Sequence, residues 1–434
     1  MSPTDAVPTI SRRLADGRLV ELVYDPDRQA TALAIHDPDG ATHLVPEVSV
    51  AGGERLIPYA ATNNLIATGC VLLPSEPVDY GDKAQLLADI RTYLRRYVDL
   101  SPAFEGVAAH YALFSWVYEA FSEAPYLRFR GDYGTGKTRA LLALGSICYK
   151  PFFASGASTV SPIFHVLDAF QGTLVLDEAD FRFTDATASL TKVLNNGNAV
   201  GLPVLRSVAN RHKEYSPRAF RVFGPKLVGM RERFGDEALE SRFLTEETGL
   251  RPLRDDIPLA TPADLQTDAL ILRNKLLMWR FRNLNVVASD PSRAAPDVEP
   301  RLNQTALPLL SLMDDLAVRG ALQQRLALEQ ARLRADRAGA PEARVLVALS
   351  GLFASATPGA VPISAVVERL NAEGVKTGSQ TVTAKWMGWF LRTRLRLTTL
   401  RTRGVYVIPS SEAGKVEALA RRFGVAAGVV DTAP

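Results

Sequence analysis

The sequence predicts an α/β protein: a core with a parallel sheet, a small β-rich domain before it, and a domain of helices and a hairpin after it. Three observations predict this. Residues 131–138 read Gly-Asp-Tyr-Gly-Thr-Gly-Lys-Thr, a glycine-rich loop between a strand-like and a helix-like run. Residues 173–178 read Thr-Leu-Val-Leu-Asp-Glu, an apolar run closed by two acids, the pattern of a parallel strand covered on both faces. Finally, short β-type runs crowd the first 78 residues, while 342–408 alternates helical runs with one hairpin-like run.

The loop is a full G-x-x-x-x-G-K-[ST] match. Gly131, Gly134, Thr135 and Gly136 let backbone N–H groups close around phosphate oxygens. Lys137 adds a point charge for the β/γ phosphates, and Thr138 a hydroxyl for Mg²⁺. Before it, Pro125-Tyr-Leu-Arg-Phe-Arg130 alternates as a strand does; after it, Arg139-Ala-Leu-Leu-Ala-Leu-Gly145 reads as a helix whose N-terminal dipole joins the anion site. Asp177 lies 40 positions after Lys137, room for a helix, a strand and another helix. Asp177 would hold Mg²⁺ through water, and Glu178 would polarise an attacking water. The plain alternative is that these acids only open a loop. Taken together the pattern predicts a P-loop NTPase core that uses ATP and Mg²⁺.

The whole chain sets bounds. Its 434 residues suggest two to four domains, and 47% hydrophobic with 22% charged content is that of a globular protein. No run approaches the ~18 apolar residues of a membrane span. The N-terminus lacks a basic stretch followed by an apolar one, so no secretory leader and no membrane partner are expected. Cys70 and Cys148 are the only cysteines, which argues against a disulfide framework or zinc site and for a reducing, cytoplasmic setting. Net charge is +3 and the pI about 8.8.

Five segments are expected. Residues 1–80 form a β-rich module, with strands at 18–24, 31–35 and 66–73 separated by Asp-Pro turn signals at 25–28 and 37–40. It is a docking or oligomerisation module or, alternatively, a nucleic-acid-binding barrel. Residues 81–123 form a helical collar in which Trp116, Tyr118 and Phe121 are core. The core itself spans 124–250. A helical lid or linker follows at 251–340, with Leu270, Leu272, Leu276, Leu277 and Trp279 on its buried side. The last domain is 341–434.

Within the core, a helix is expected at 186–195 and a β-hairpin at 201–223 with Arg211, His212 and Lys213 at its tip. Pro225-Lys-Leu-Val-Gly-Met230 is the next core strand, and Arg231 stands at its end as a polar sensor candidate. Arg242 follows in Leu239-Glu-Ser-Arg-Phe-Leu244, and Arg301 in Glu299-Pro-Arg-Leu-Asn-Gln304.

In order, Val175-Leu-Asp-Glu-Ala179, Leu194-Asn-Asn-Gly-Asn198, Val204-Leu-Arg206, Phe223-Gly-Pro-Lys-Leu-Val-Gly229 and Leu239-Glu-Ser-Arg242 resemble the AAA+-like P-loop ATPase domains found beside primases in phage and plasmid replication proteins. That group is similar to superfamily-three helicases in the short spacing of its ATP motifs. The resemblance covers about residues 100–320. It implies a homo-oligomeric ring, usually a hexamer, acting in DNA replication of a mobile element, with a primase or polymerase as a partner. It implies that Arg211, His212 and Lys213 line a pore and touch single-stranded DNA, against the alternative of a solvated hairpin tip. It implies that Arg242 is an arginine finger reaching a neighbouring subunit's γ-phosphate, against an ordinary surface ion pair, and that Arg301 is a lid-side phosphate contact. One departure stands: superfamily-three helicases often end the sensor strand in Asn, and here it ends Gly229-Met-Arg231.

Residues 342–408 suggest a winged helix, with helices at 344–349 and 362–370, a third entered from 377–383 with Ser379 as its cap, and a hairpin at 397–408. Lys385, Arg392, Arg394, Arg401 and Arg403 suit a phosphate backbone, duplex DNA included; Trp386, Trp389 and Phe390 are expected in the core, against the alternative of base-stacking groups. The alternative for this domain is protein docking. Two functions remain open: a DNA-dependent ring ATPase that unwinds or translocates, and a nucleotide-switched DNA-binding ATPase that assembles at an origin or promoter and recruits other proteins.

Overall fold

The structure is a computed structural model that describes residues 6–155, 158–177, 185–209, 215–234, 236–355, 359–377 and 380–425. The chain divides into two compact units, Met1–Leu326 and Ala327–Pro434.

The first unit opens with seven short strands: β1 (Ala6–Thr9), β2 (Ser11–Arg13), β3 (Leu19–Asp25), β4 (Ala30–His36), β5 (Thr42–Val45), β6 (Val48–Ser49) and β7 (Arg55–Pro58). The antiparallel sheet β2-β3-β4-β5 lies beside a small β1-β7-β6 sheet. The strand expected at 66–73 is absent. Ile66 and Ala67 close a short helix, α1 (Asn64–Ala67), and only Val71 makes an isolated bridge, to Phe152. Local capping decides this: Asn63 accepts from the Leu65 N–H at 3.0 Å, and Gly69 turns the chain at φ +68°. The apolar residues that suggested a strand, Ile66, Val71 and Leu73, are buried all the same, in a core continuous with that of the central sheet.

Helices α2 (Lys83–Tyr97) and α3 (Pro102–Val117) come next. Every residue of α3 from Phe104 on is buried, as its all-round apolar sequence requires, and Trp116, Tyr118 and Phe121 are core. The central elements then follow in order: β8 (Tyr126–Arg130), α4 (Lys137–Ile147), β9 (Phe152–Ser155), α5 (Val160–Phe170), β10 (Leu174–Asp177), α6 (Asp185–Asn196), the hairpin β11 (Val204–Ala209) and β12 (Tyr215–Phe220), β13 (Lys226–Met230), α7 (Glu237–Glu240) and β14 (Phe243–Glu247). Five strands pair in the order β14-β8-β13-β10-β9, all parallel. β13 therefore lies between β8, which leads into the glycine loop, and β10, which carries Asp177. The hairpin stands outside this sheet as its own two-stranded ribbon. Helices α8 (Leu265–Asn283), α9 (Pro300–Ser311) and α10 (Leu316–Ala338) follow; on α8, Leu272, Leu276, Leu277 and Trp279 are buried and Leu270 half-buried.

The second unit has its own core. It runs α11 (Pro341–Ser355), β15 (Val361–Pro362), α12 (Ile363–Ala372), β16 (Lys376–Thr377), β17 (Gln380–Thr381), α13 (Ala384–Thr393), β18 (Leu400–Thr402), β19 (Val405–Ile408) and α14 (Ala413–Arg422), with a β15-β19-β18 antiparallel sheet. Ser379, expected to cap the third helix, lies outside the described residues; Thr383 caps α13, accepting from the Trp386 N–H at 3.3 Å. No helix among the described residues is long and apolar enough to cross a membrane.

One charge network ties the first unit together. Glu21 of β3 is buried and pairs with Lys150 at 2.8 Å and Arg280 of α8 at 2.6 Å. It also accepts from Ser11 Oγ at 2.6 Å and Tyr149 Oη at 2.9 Å. Arg280 in turn donates to the Trp116 carbonyl at 2.7 Å and pairs with Glu119 at 2.7 Å. Burial alone would raise the Glu21 pKa, but Arg280 and Lys150 outweigh it and bring it from 4.5 down to about 2. A carboxyl depressed in the folded state stabilises above its unfolded pKa, and that contribution fades as pH falls below 4.5 toward 2. Glu21→Gln, which strands the buried Lys150 and leaves Arg280 with Glu119 alone, is expected to cost about 3–5 kcal/mol in urea unfolding near neutral pH. The gap between wild type and variant should narrow in acid; a gap that is small or independent of pH would refute the network's role.

Candidate functional site

The glycine loop begins where β8 ends. Gly134 and Gly136 take φ +70° and +88°, left-handed values that let successive backbone N–H groups converge, and Gly136 opens α4. Gly131 is needed for a different reason. A Cβ there would lie 2.3 Å from Thr248 Oγ1 and 2.5 Å from the Thr248 carbonyl. The turn after β14 thus packs against the loop: Thr248 N donates to the Arg130 carbonyl at 2.7 Å, and the Thr135 and Thr248 hydroxyls are 2.8 Å apart. Sequence reading missed Thr248 because it belongs to no local motif.

Lys137 folds back into the loop, donating to the carbonyls of Gly131 at 2.8 Å and Asp132 at 2.6 Å. Its charge is therefore held against the start of the loop. Thr138 Oγ1 donates to Asp177 Oδ2 at 2.6 Å. Thr138 is on α4, which packs over β13, and Asp177 ends β10 beside it, and Gly229 of β13 makes the meeting possible. A Cβ on Gly229 would lie 2.7 Å from Leu141 Cδ1 and 2.9 Å from Asp177 Oδ1. A hydroxyl and a carboxylate this close form a hard-oxygen pair suited to Mg²⁺ beside a phosphate chain. Glu178 lies outside the described residues.

Arg231 follows β13 and also comes to the loop. Its guanidinium stacks over the Tyr133 ring, 4.0 Å from the centroid, and donates to the Tyr133 hydroxyl. Tyr133 is itself 74% exposed, so this cation is parked on the open side of the loop.

Arg242 and Arg301 go elsewhere. Arg242 precedes β14, its carbonyl accepting from the N–H of Tyr126, the first residue of β8. The loop starts beyond the last residue of that five-residue strand, about 15 Å along the sheet. Arg242 is half-buried and donates to Asn195 Oδ1, and burial lowers its pKa from 12.5. Arg301, at the start of α9, donates to Ser241 Oγ and the Ala238 carbonyl, each at 2.8 Å. The expected lid-side contact of Arg301 with the phosphate loop is therefore not made within this chain, because α9 begins beside the α7–β14 turn, at the opposite end of the strands.

A cleft of about 670 Å³ opens beside the loop. Its lining includes Val98 and Leu100 and, as a second segment of wall, Leu253, Ile257 and Pro258. Arg139, one turn into α4, donates to the carbonyls of Pro258 and Leu259 and pins this second wall.

Arg211, His212 and Lys213 lie outside the described residues, though the strands flanking them pair in register from Val204↔Phe220 to Ala209↔Tyr215. In the second unit, Arg403 and Gly404 take φ +48° and +84° in the two-residue turn between β18 and β19. Lys385, Arg392, Arg401 and Arg403 are exposed. Arg394 pairs with Glu342 at 2.9 Å, so its charge is already matched, a partner 52 residues away that local reading could not supply. Trp389 corrects a second expectation. It is 51% exposed, whereas Phe390 is buried and Trp386 half-buried, since α13 turns Met387, Phe390 and Leu391 inward.

No family model matches the sequence, and a search of curated proteins returns no match. Among solved structures the chain is similar to the NrS-1 C-terminal region, with 11% identity and a TM-score of 0.37 over 90% of this chain and 96% of that one. It is similar to the SCCmec type IV Cch active helicase, with 12% identity and a TM-score of 0.32 over 94% of each chain. The JCV helicase is a third, with 15% identity and a TM-score of 0.24 over 57% of this chain and 66% of that one. These likenesses are loose, and the functional reading stands on the site's own geometry.

Gly229→Ala tests that geometry. The new methyl group is expected to push Asp177 away from Thr138 and weaken Mg²⁺-dependent binding of a fluorescent ATP analogue, at about 1–3 kcal/mol of overpacking. Unchanged binding and unchanged melting would show that the close approach is unimportant.

Proposed function

We propose that the chain is a DNA-dependent ATPase that works as a ring, a helicase or translocase serving replication of a phage, plasmid or other mobile element. One observation carries the ATPase reading: Thr138 and Asp177 meet at 2.6 Å beneath a phosphate loop already loaded with Lys137. The loop N–H groups and Lys137 would bind the β and γ phosphates of ATP. Thr138 and Asp177 would hold Mg²⁺, which when bound offsets phosphate charge. Glu178 would take a proton from the attacking water, and Arg231 would leave Tyr133 for the γ-phosphate oxygens. The cleft walls at Val98, Leu100 and Ile257 suit the base.

The ring reading is supported by the place of Arg242. It lies at the end of the strands opposite its own loop, so any phosphate it serves belongs to a neighbouring subunit, and Arg301 beside it would act there too. A hexamer is the closed assembly this reading favours, with a primase or polymerase as partner. The projecting β11–β12 ribbon would carry Arg211, His212 and Lys213 to single-stranded DNA, and the second unit would act as a winged helix on DNA.

Lys137→Ala and Glu178→Gln are each expected to abolish ATP turnover; normal turnover in both would sink the site assignment. Arg242→Ala should lower turnover about a thousandfold. Mixing Arg242→Ala with Glu178→Gln subunits should restore part of it, because some interfaces then hold both intact halves, and no recovery would exclude a finger acting between subunits. Arg211→Ala with Lys213→Ala should reduce DNA-stimulated turnover. The exposed cations of the second unit favour a second reading, a nucleotide-switched ATPase that assembles on an origin or promoter. A strand-displacement assay separates the two, since only the first predicts unwinding.

A further inference from the structure

We propose that the solvent face of α13, together with the β18–β19 hairpin, is a binding surface for single-stranded nucleic acid on which Trp389 stacks against a base. This deepens the DNA-binding part of the function proposed above and rests on different residues from the ATP site.

The first observation is Trp389 itself. Of the four tryptophans, Trp116 and Trp279 are buried and Trp386 is half-buried, while Trp389 is 51% exposed. The core does not need it: Trp386 already stacks on Phe390, centroids 4.7 Å apart. The second is its setting. Lys385, Trp389 and Arg392 are spaced i, i+4, i+7, so one helical stripe presents an indole between two cations. From Gly374 to Ser411 the chain has no acidic residue. Lys385 and Arg401 make no ion pair with any described residue. The third is continuity. Arg392 donates to Thr399 Oγ1 at 3.2 Å and so joins the helix to the segment entering the hairpin. There Arg401 lies over the ring of Tyr406, 5.8 Å from its centroid, and Tyr406 is 52% exposed.

Cations alone would suit any polyanion. Two exposed aromatic rings among them select a polyanion that also offers flat apolar faces. Bases in a duplex are covered by their own stack; those of a single strand are open, and stacking on them is tolerant of sequence. The phosphates then take Lys385 and Arg401, and the base takes the indole.

The test uses the full chain without nucleotide, carrying Arg211→Ala and Lys213→Ala so that the central hairpin contributes nothing. The probes are an oligothymidylate of about twenty nucleotides, an abasic strand of equal charge, and a duplex of equal length. The oligothymidylate is expected to quench tryptophan emission and to bind about tenfold tighter than the abasic strand. Trp389→Ala should remove that advantage without changing the salt dependence, and Trp389→Phe should keep most of it. Lys385→Ala and Arg401→Ala should each lower the salt slope by about one. Equal affinity for oligothymidylate and abasic strand, tighter binding to the duplex, or an unaffected Trp389→Ala would each overturn the proposal, as would binding only to an acidic peptide such as polyglutamate. Melting curves establish that the variants are folded. Because no ATP is present, failure of the ATP site assignment leaves this result standing, and failure here leaves the ATPase reading intact.

Discussion

Glu21 is the point at which the first unit is held together. A carboxylate taken out of water is costly unless cations and donors surround it, and this one has Lys150, Arg280, Tyr149 and Ser11. Those partners come from β2, from the segment just after α4, and from α8. The network therefore fixes the far end of α4, whose near end holds Lys137 and Thr138. Gly145 adds to this: a Cβ there would lie 2.9 Å from Val175 Cγ2, so α4 lies close on the sheet. A helix clamped at one end by buried charge and laid close on strands presents its N-terminus with little freedom, which is what a phosphate site requires.

The second constraint is the placing of β13. It separates the loop strand from the acid strand, so Asp177 stands a full strand away from β8 and meets Thr138 only across β13. Gly229 reconciles the two, because only a residue without a side chain leaves the Asp177 carboxylate and α4 room to meet. The same strand then delivers Arg231 to Tyr133 on the open side of the loop. One inserted strand thus sets both the spacing of the metal pair and the place of the cation beside it. The opposite end of the strands holds Arg242, Arg301 and Asn195, tied to the α7–β14 turn and the end of α6. Loop at one end of the strands and arginines at the other would, in the proposed ring, give each chain two halves of different sites, which is the physical basis of that proposal.

Much was legible locally. The loop, its flanking strand and helix, the Asp177 strand and the basic hairpin follow from glycine placement, apolar runs and turn chemistry over short windows, and these local preferences agree with the final fold. What was misread depended on distant partners. Residues 66–73 look like a strand until Asn63 and Gly69 impose a helix. Arg394 gains an ion-pair partner only when Glu342, 52 residues away, is folded against it. Trp389 looks like core because tryptophan usually is, and only the rotation of α13 about Met387, Phe390 and Leu391 turns it outward.

By itself the sequence determined the chemistry on offer: a loop whose glycines can bend around phosphates, a lysine and threonine at its end, an acid at the end of a buried strand, and a C-terminal stretch without negative charge. Those features are local, so composition and spacing specify them. The tertiary structure alone decided which groups meet. It brought Asp177 to Thr138 past Gly229, set Thr248 against Gly131, kept Arg242 from its own loop, and left Trp389 in solvent. Each of those outcomes depends on strand order or helix rotation, which arise from packing the whole core at once and leave no mark in a short window of residues.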